Sequence, residues 1–512
     1  MSLNSLFSWI IKKRIHQIDL FKQYPFEVQR EVFTELISRG SKTEWGKKYD
    51  FANIKSYEDF NEKVPLANYE VFEPYIKRLL NKEQKILWDS DVKWFAQTSG
   101  TMGDRIKVLP VSKESLYNCH YKGGKDLLSL YYNQIPGRKL YKGKHLILGG
   151  SAKVHYLTSD SYFGDISAII LKNMPWWAEL RRTPAKEIAL MSEWEEKIER
   201  LAESTIKQDI YILAGVPSWT LILCNRVLEM TGKKHLREVW PNLELFMHGG
   251  VNFEPYRNQF KKIIPFDDMH YVETYNASEG FFGIQDDFKI DELLLMLDYG
   301  TFFEFIPMDQ FDDINSKKVI PLQEVEMDVN YALVISTNAG LWRYIIGDTI
   351  RFTNMAPYRF KITGRTKSFI NSFGEKLEVE HAEMAIRKTC EQTKSEIAEY
   401  TVAPVYMDGA KLAKHEWLIE FRVEPDSLTD FTQILDEELQ VINMDYKVKR
   451  TGDITLLTPL IHSAEKGLFQ KWLKSINKLG GQHKVPRLCN DRKMIEQLLS
   501  IQPNIPNSLS NH

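Results

Sequence analysis

Cysteine is nearly absent from this 512-residue chain, which carries only Cys119, Cys224, Cys390 and Cys489. They form no CxxC pair and no metal-ligand cluster, which argues against a disulfide scaffold or a zinc ribbon and favours a reducing compartment. Net charge is equally scarce. The 67 basic residues face 69 acidic ones, a balance of −2, so neither nucleic acid nor a charged membrane gains bulk support as a partner. No run of eighteen apolar residues suggests a membrane span. The opening MSLNSLFSWIIKKRIHQIDLF has too short an apolar run for a secretory signal, with no basic region before it and no small-residue cleavage site after it. Its Leu6, Phe7, Ile10 and Ile11 suit an amphipathic helix packed on the body of the protein. There is also no internal repeat, no low-complexity tract and no convincing Ser/His/Asp triad. The expectation is a soluble, cytoplasmic protein.

What is present is ordinary globular material, 43% apolar and 27% charged, in a chain long enough for two to three domains. Apolar spacing near 3.6 predicts helices up to about residue 90. Strands that run into small-residue turns and then helices follow, as in HLILGG, IYILAG, LELFMHGG and MHYVETYNASEG, and this alternation indicates an α/β architecture. KEIALMSEWEEKIERLAESTIKQ, 186–208, predicts one amphipathic helix, and FTQILDEELQVINMDYKVKR predicts another. From 293 to 352 the pattern is mostly β and fits a barrel or an antiparallel sheet. A boundary near Thr366–Lys367 divides the chain into a large domain, 1–366, with a β-barrel-like portion, and a smaller C-terminal α/β domain, 367–512.

Five segments carry chemistry. TSGTMGDRIK, 98–107, joins two predicted strands. Gly100 and Gly103 let the backbone turn tightly and expose amide N–H groups, while Thr98, Ser99 and Thr101 add hydroxyl donors, a composition suited to phosphate. An ordinary polar turn has the same composition, and the GxxxxGK[ST] spacing of a P-loop is missing. Lys107 can add positive charge, although a strand position can also direct it elsewhere. YNASEG, 275–280, puts Glu279 at a strand end, where ligands gather in α/β folds and where a carboxylate can hold Mg2+ against phosphate oxygens. A glutamate in a surface turn reads alike, and Tyr275 suits either stacking on a base or packing in a core. In LWRYIIGDTIRF, Asp348 follows Gly347 at a strand end and can accept two ribose hydroxyls, or simply start a turn. TGRTKSFINSFGEK, with Gly364, Arg365 and Lys367, reads as a hinge or a static connector. In GGQHKVPRL, Lys484 lies in a basic tail that suits an anionic partner or a solvated face.

In this order the segments resemble those of the adenylate-forming enzymes, acyl-CoA synthetases and luciferases among them, and more closely the GH3 family of acyl acid–amido synthetases. The resemblance implies ATP and Mg2+ as cofactors and two domains that rotate between half-reactions. It places Ser99, Gly100, Thr101 and Gly103 on the β- and γ-phosphates, Ser278 beside them, and Glu279 on Mg2+. Asp348 falls on the ribose hydroxyls with Arg365 nearby, Lys367 at the hinge, and Lys484 as the lysine that neutralises charge during adenylation. Ser278, where the wider superfamily prefers threonine, and the HKVPR context of Lys484 both favour the amide-forming branch.

The implied reaction activates a carboxylic acid as an acyl adenylate with release of pyrophosphate, then forms an amide with an amino acid. A CoA ligase and a non-catalytic ATP- and carboxylate-binding protein are the alternatives. Trp176, Trp177 and Trp219 are candidates for an aromatic acid or for core packing, and His248 and His270 are candidates near strand ends. The expected partners are small molecules, and a monomer is preferred.

Overall fold

The computed structural model begins with helices, among them Leu3–Gln23, Pro25–Gly40, Tyr57–Lys63 and Tyr69–Leu80. Their starts have local causes: Pro25 stands at the first helical turn, Ser56 and Asp59 form a reciprocal cap, and the Asn68 side chain accepts from Val71 N. The structure describes residues 3–98, 107–138, 140–149, 155–158, 161–191, 193–250, 253–311, 318–366, 370, 377–405, 413–443, 446–447, 450, 456–476, 485–489 and 492–502. The side chains of Leu6, Phe7 and Ile10 lie outside that description. Contacts divide the described residues into one unit of 3–346 with 350–362, and a second of 347–349 with 363–502.

The first unit is built on a mixed sheet. Its parallel part runs Arg182–Thr183, Lys144–Leu148, Ile210–Gly215, Leu245–Gly249, His270–Asn276. Helices Trp194–Thr205, Pro217–Thr231 and Glu254–Ile263 lie on the connections between these strands, as parallel pairing requires. Ile210, Ile212, Leu213, Leu245 and Phe246 are all buried, the near-continuous apolar filling of strands covered on both faces. Beyond His270–Asn276 the sheet continues antiparallel through Phe281–Ile284, Leu293–Leu295 and Tyr358–Arg365, then through Tyr344–Met355, Asn330–Thr337, Thr301–Pro307 and Ile320–Pro321. The β-rich segment after 293 was expected to be barrel-like. Among the described residues its strands join the twelve-stranded sheet with no separate barrel, because Leu293–Leu295 pairs with Phe281–Ile284 on one side and with Tyr358–Arg365 on the other. A second sheet orders Lys107–Val111, Trp94–Thr98, Tyr162–Asp165 and His155–Tyr156.

The helix predicted over 186–208 is broken into Lys186–Ala189 and Trp194–Thr205. Glu193 is extended before the longer helix, and Glu195 and Glu196 occupy its first turn, where free amides favour acids. Ile198, Leu201, Ala202 and Thr205 form its buried face.

In the second unit, Glu396–Val405, Lys414–Val423 and Leu460–Ala464 form a three-stranded sheet. Alternation along the central strand sends Trp417 into one cluster with Phe431, Leu435 and Leu439, and Leu418 into another with Phe469, Trp472 and Ile495. The helix predicted across 431–450 begins earlier, at Leu428, and is interrupted after Ile442, with Tyr446, Lys447 and Arg450 again helical. The break falls where Asn443 turns extended and its Oδ1 accepts from Tyr446 N at 2.9 Å. No helix among the described residues is long and apolar enough to cross a membrane.

Candidate functional site

The segment YNASEG folds into a tight hairpin. Asn276 closes the strand His270–Asn276 and pairs with Phe281, while Ala277 N bonds Gly280 O at 2.8 Å and Gly280 N returns to Ala277 O at 3.3 Å. Ser278 and Glu279 are therefore the two tip residues, Ser278 buried and Glu279 partly exposed. The turn is anchored from behind. His120 Nδ1 lies 3.0 Å from Asn276 Oδ1, and Phe281 N donates to Cys119 Sγ at 3.1 Å. A Cβ on Gly280 would stand 2.7 Å from the Phe282 ring, so no larger residue fits there without a shift. Burial pushes the His120 imidazole down to about 4, against a smaller opposing effect from Asn276, so the ring is neutral at pH 7. Burial also raises the Cys119 thiol to about 12, which leaves it unreactive.

His120 and Cys119 close a π-helical turn, Leu116–His120, at the head of helix Tyr121–Gln134. Such turns re-aim side chains within a helix. The sequence carries no sign of this partnership, because its members lie 156 residues apart.

In the second unit, Arg365 Nε bonds Asp348 Oδ1 at 3.0 Å, with Asp348 buried and Arg365 half-exposed. Gly347, at φ +90°, turns the strand just before the carboxylate, a conformation that favours glycine. Thr366 N donates to Gly347 O at 2.8 Å, and Thr363 Oγ1 donates to Thr349 Oγ1 at 2.8 Å. Two of the residues singled out in sequence thus meet on neighbouring strands.

Other candidates are placed differently. Lys107 Nζ sits 5.3 Å over the Tyr69 ring and 4.0 Å from Glu70, so its charge is directed at that helix. Tyr275 is buried, edge-on to Phe282 at 5.1 Å and Phe360 at 6.1 Å, which leaves a nucleobase little of its ring. Trp176 and Trp177 stand out from the surface, and Trp219 packs against a core cluster. Ser99, Gly100, Thr101, Gly103, Lys367 and Lys484, with the side chain of Thr98, lie outside the described residues.

A buried pair stands near the strand ends. Lys197 Nζ donates to Gly149 O at 2.9 Å. Burial lowers Lys197 to about 8 and raises Asp165 to about 7, and the attraction between them opposes both shifts. Asp165 ends the strand paired with Trp94–Thr98, level with Gln97. Neither residue was singled out in sequence, where a lysine within an amphipathic helix reads as a solvated one.

Three family models match the chain in order: the GH3 family N-terminal domain over 14–269, the central domain over 294–365 and the C-terminal domain over 380–493. The chain belongs to the GH3 family of acyl acid–amido synthetases, within the adenylate-forming superfamily. It is similar to the Arabidopsis thaliana indole-3-acetic acid-amido synthetase GH3.4, 24% identical with 95% of this chain and 93% of the relative covered. The 4-substituted benzoates-glutamate ligase GH3.12 of the same organism is 22% identical, over 92% of this chain and 94% of that one. Among solved structures, the GH3.15 acyl acid amido synthetase superposes with a TM-score of 0.75 at 17% identity, covering 93% of both chains. A 2-hydroxyisobutyryl-CoA ligase in its postadenylation state gives 0.55 at 12% identity, over 92% of this chain and 91% of that one, a likeness of fold.

Proposed function

We propose that the protein joins a carboxylic acid to the amine of an amino acid in two steps on one nucleotide site. The match to all three GH3 domains in order carries this reading. A carboxylate is a poor acyl donor because its oxygen is a poor leaving group. A carboxylate oxygen attacks the α-phosphorus of ATP, the bond to pyrophosphate breaks, and an acyl adenylate results. The amine then attacks the acyl carbon, AMP leaves with the bonding electrons, and the amine nitrogen loses a proton.

The side chains divide that work. Asp348 accepts the ribose hydroxyls, and Arg365 at 3.0 Å holds the carboxylate in place. Tyr275 stands at the base side through what remains exposed of its ring. Thr98, Ser99, Gly100, Thr101 and Gly103 cradle the phosphates, with Ser278 beside them and Lys107 as a more distant positive charge. Lys484 brings positive charge to the phosphates during adenylation, carried by a small domain, 367–512, that turns about Lys367 against the adenylation domain, 1–366.

Mg2+ fits this donor set. The described residues hold no cluster of three or more His, Cys, Asp or Glu suited to a metal ion, and Mg2+ commonly rests on one or two carboxylates plus phosphate oxygens and water. Glu279, partly exposed at the hairpin tip, is the carboxylate that would hold it, and the ion would neutralise phosphate charge.

The test is ATP-dependent pyrophosphate release across a carboxylic-acid panel, with and without mixed amino acids, products being read by mass. The panel begins with arylacetic and benzoic acids, the kinds for which the relatives are named, and extends to fatty acids. Acid-dependent release with an amide mass is the expected result. A product formed only with CoA overturns the amide assignment.

A further inference from the structure

A cavity of about 300 Å3 lies within the first unit, away from the hairpin tip, between the helix Glu254–Ile263, the strand His270–Asn276 and the loop after Phe281–Ile284. That volume is at the lower end of the range for small-molecule sites. His248, Tyr271, Phe253, Phe288 and Arg257 are among the residues that line it. Three lining residues carry buried polar atoms with no hydrogen-bond partner: His248 Nδ1, Tyr271 Oη and His270 Nε2. His248 is 4% exposed. A buried group left unpaired costs about 1–3 kcal/mol, so several around one cavity mark a place whose contents supply the partners.

The walls indicate what those contents are. The Phe253 ring stacks on His248 at 4.2 Å and on Tyr271 at 5.0 Å, and Phe288 lies 6.1 Å from His270. Phe253 is thus covered by its neighbours, and the partly buried Phe288 is the flat apolar surface left to take another ring. The Arg257 charge is already matched. Arg257 Nε donates to Glu254 at 2.6 Å and its guanidinium lies 3.9 Å from Asp291, while Lys289 and Glu273 complete a lining with three acids and two bases. A carboxylate entering this space would find a surplus of negative charge. His248 offers no compensating proton, because burial and Arg257 push its imidazole down to about 3. An ammonium would meet Arg257 and Lys289 in the same lining, and desolvating a charge is costly. The described residues also hold no metal-suited cluster.

We infer that this cavity is a second ligand site, one that takes a neutral aromatic ring bearing a group that both donates and accepts a hydrogen bond, as a phenol does. The ring lies against Phe288, and its hydroxyl completes the bonding of His248 Nδ1 and Tyr271 Oη. The inference rests on the cavity alone and stands or falls separately from the reaction assigned above.

Calorimetric titration of the full chain with phenol tests it, with anisole, benzoate and benzylammonium as comparison probes. Phenol is expected to bind saturably at millimolar concentration or tighter, at least about tenfold more strongly than the other three. Its affinity should be unchanged between pH 5 and 8, because His248 stays neutral throughout that window. Tyr271→Phe and His248→Phe should each weaken phenol at least about fivefold. Tyr271→Phe removes an unpaired hydroxyl, so its melting temperature should hold or rise, which separates lost binding from lost folding. Saturating ATP and acyl acid should leave phenol affinity unchanged. No saturable binding would mean ordered water only and would overturn the site. So would tighter binding of benzoate or benzylammonium, or indifference to both substitutions. Competition by the acyl acid would merge the cavity with the reactive site and overturn its independence.

Discussion

His120 Nδ1 stands 3.0 Å from Asn276 Oδ1, and this contact ties a π-helical turn to the strand end that carries Ser278 and Glu279. A buried, neutral imidazole thus holds the base of a hairpin whose tip carries the buried Ser278 and the partly exposed Glu279. Its role is positional.

His120→Leu should raise the KM for Mg·ATP and lower kcat/KM for pyrophosphate release about tenfold, close to 1.4 kcal/mol of transition-state stabilisation. The KM for the acid should stay level. Steady-state kinetics with each substrate varied reads the split, and a uniform loss in every parameter would indicate general unfolding instead.

The same residue shapes acid stability. Its free value of 6.5 falls to about 4 in the folded protein, so between those pH values the unfolded chain binds the extra proton. Stability therefore rises as pH climbs from about 4 to 6.5 and is lost as pH falls through that window. Urea unfolding across the window should show a slope that His120→Leu flattens, by up to about 3 kcal/mol over the whole range.

Glu279→Gln should cut pyrophosphate release at least about a hundredfold while the melting temperature stays level, because the side chain sits at a partly exposed hairpin tip. ATP binding should weaken in Mg2+ and be unaffected in EDTA. Equal weakening in both media would remove the ion from this residue.

Asp348→Asn should raise the KM for ATP about tenfold to a hundredfold, the worth of hydrogen bonds to a charged acceptor. It should also abolish discrimination against 2′,3′-dideoxy-ATP. Arg365→Met should give a smaller effect of the same kind, since it removes the group that holds the carboxylate at 3.0 Å.

Arg343 and Glu304 form a buried pair at 3.0 Å, and the guanidinium also donates to Val64 O at 2.7 Å. Arg343→Met leaves a buried carboxylate with only the Tyr57 hydroxyl as a partner and should cost about 3–5 kcal/mol, read by urea unfolding. Adding Glu304→Gln should recover part of that loss.

Much of the architecture was legible in order along the chain. Runs such as IYILAG and HLILGG became parallel strands because strand and turn preferences are local, and the caps at Ser56 and Asn68 act within three residues. Ser278 and Glu279 fell at a strand end for the same reason, whereas Asp348, expected at one, lies within the strand Tyr344–Met355. Legibility failed where a neighbour distant in sequence decided. The β-rich segment after 293 fitted a barrel or an antiparallel sheet alike, and pairing of Leu293–Leu295 with Phe281–Ile284 joins it to the parallel sheet. Lys107 had the charge for phosphate, and Tyr69 and Glu70 lie within its reach.

The sequence by itself determined the alternation of strand and helix, the order of the motifs and the family to which they point, since each depends on residues a few positions apart. Tertiary structure alone decided which histidine braces the hairpin, which tyrosine hydroxyl and imidazole are left facing a cavity, and which carboxylate meets a guanidinium. Those outcomes depend on burial and on partners brought together only when the sheet closes over its core, where an unpaired polar atom is costly and a matched one gains a fixed position.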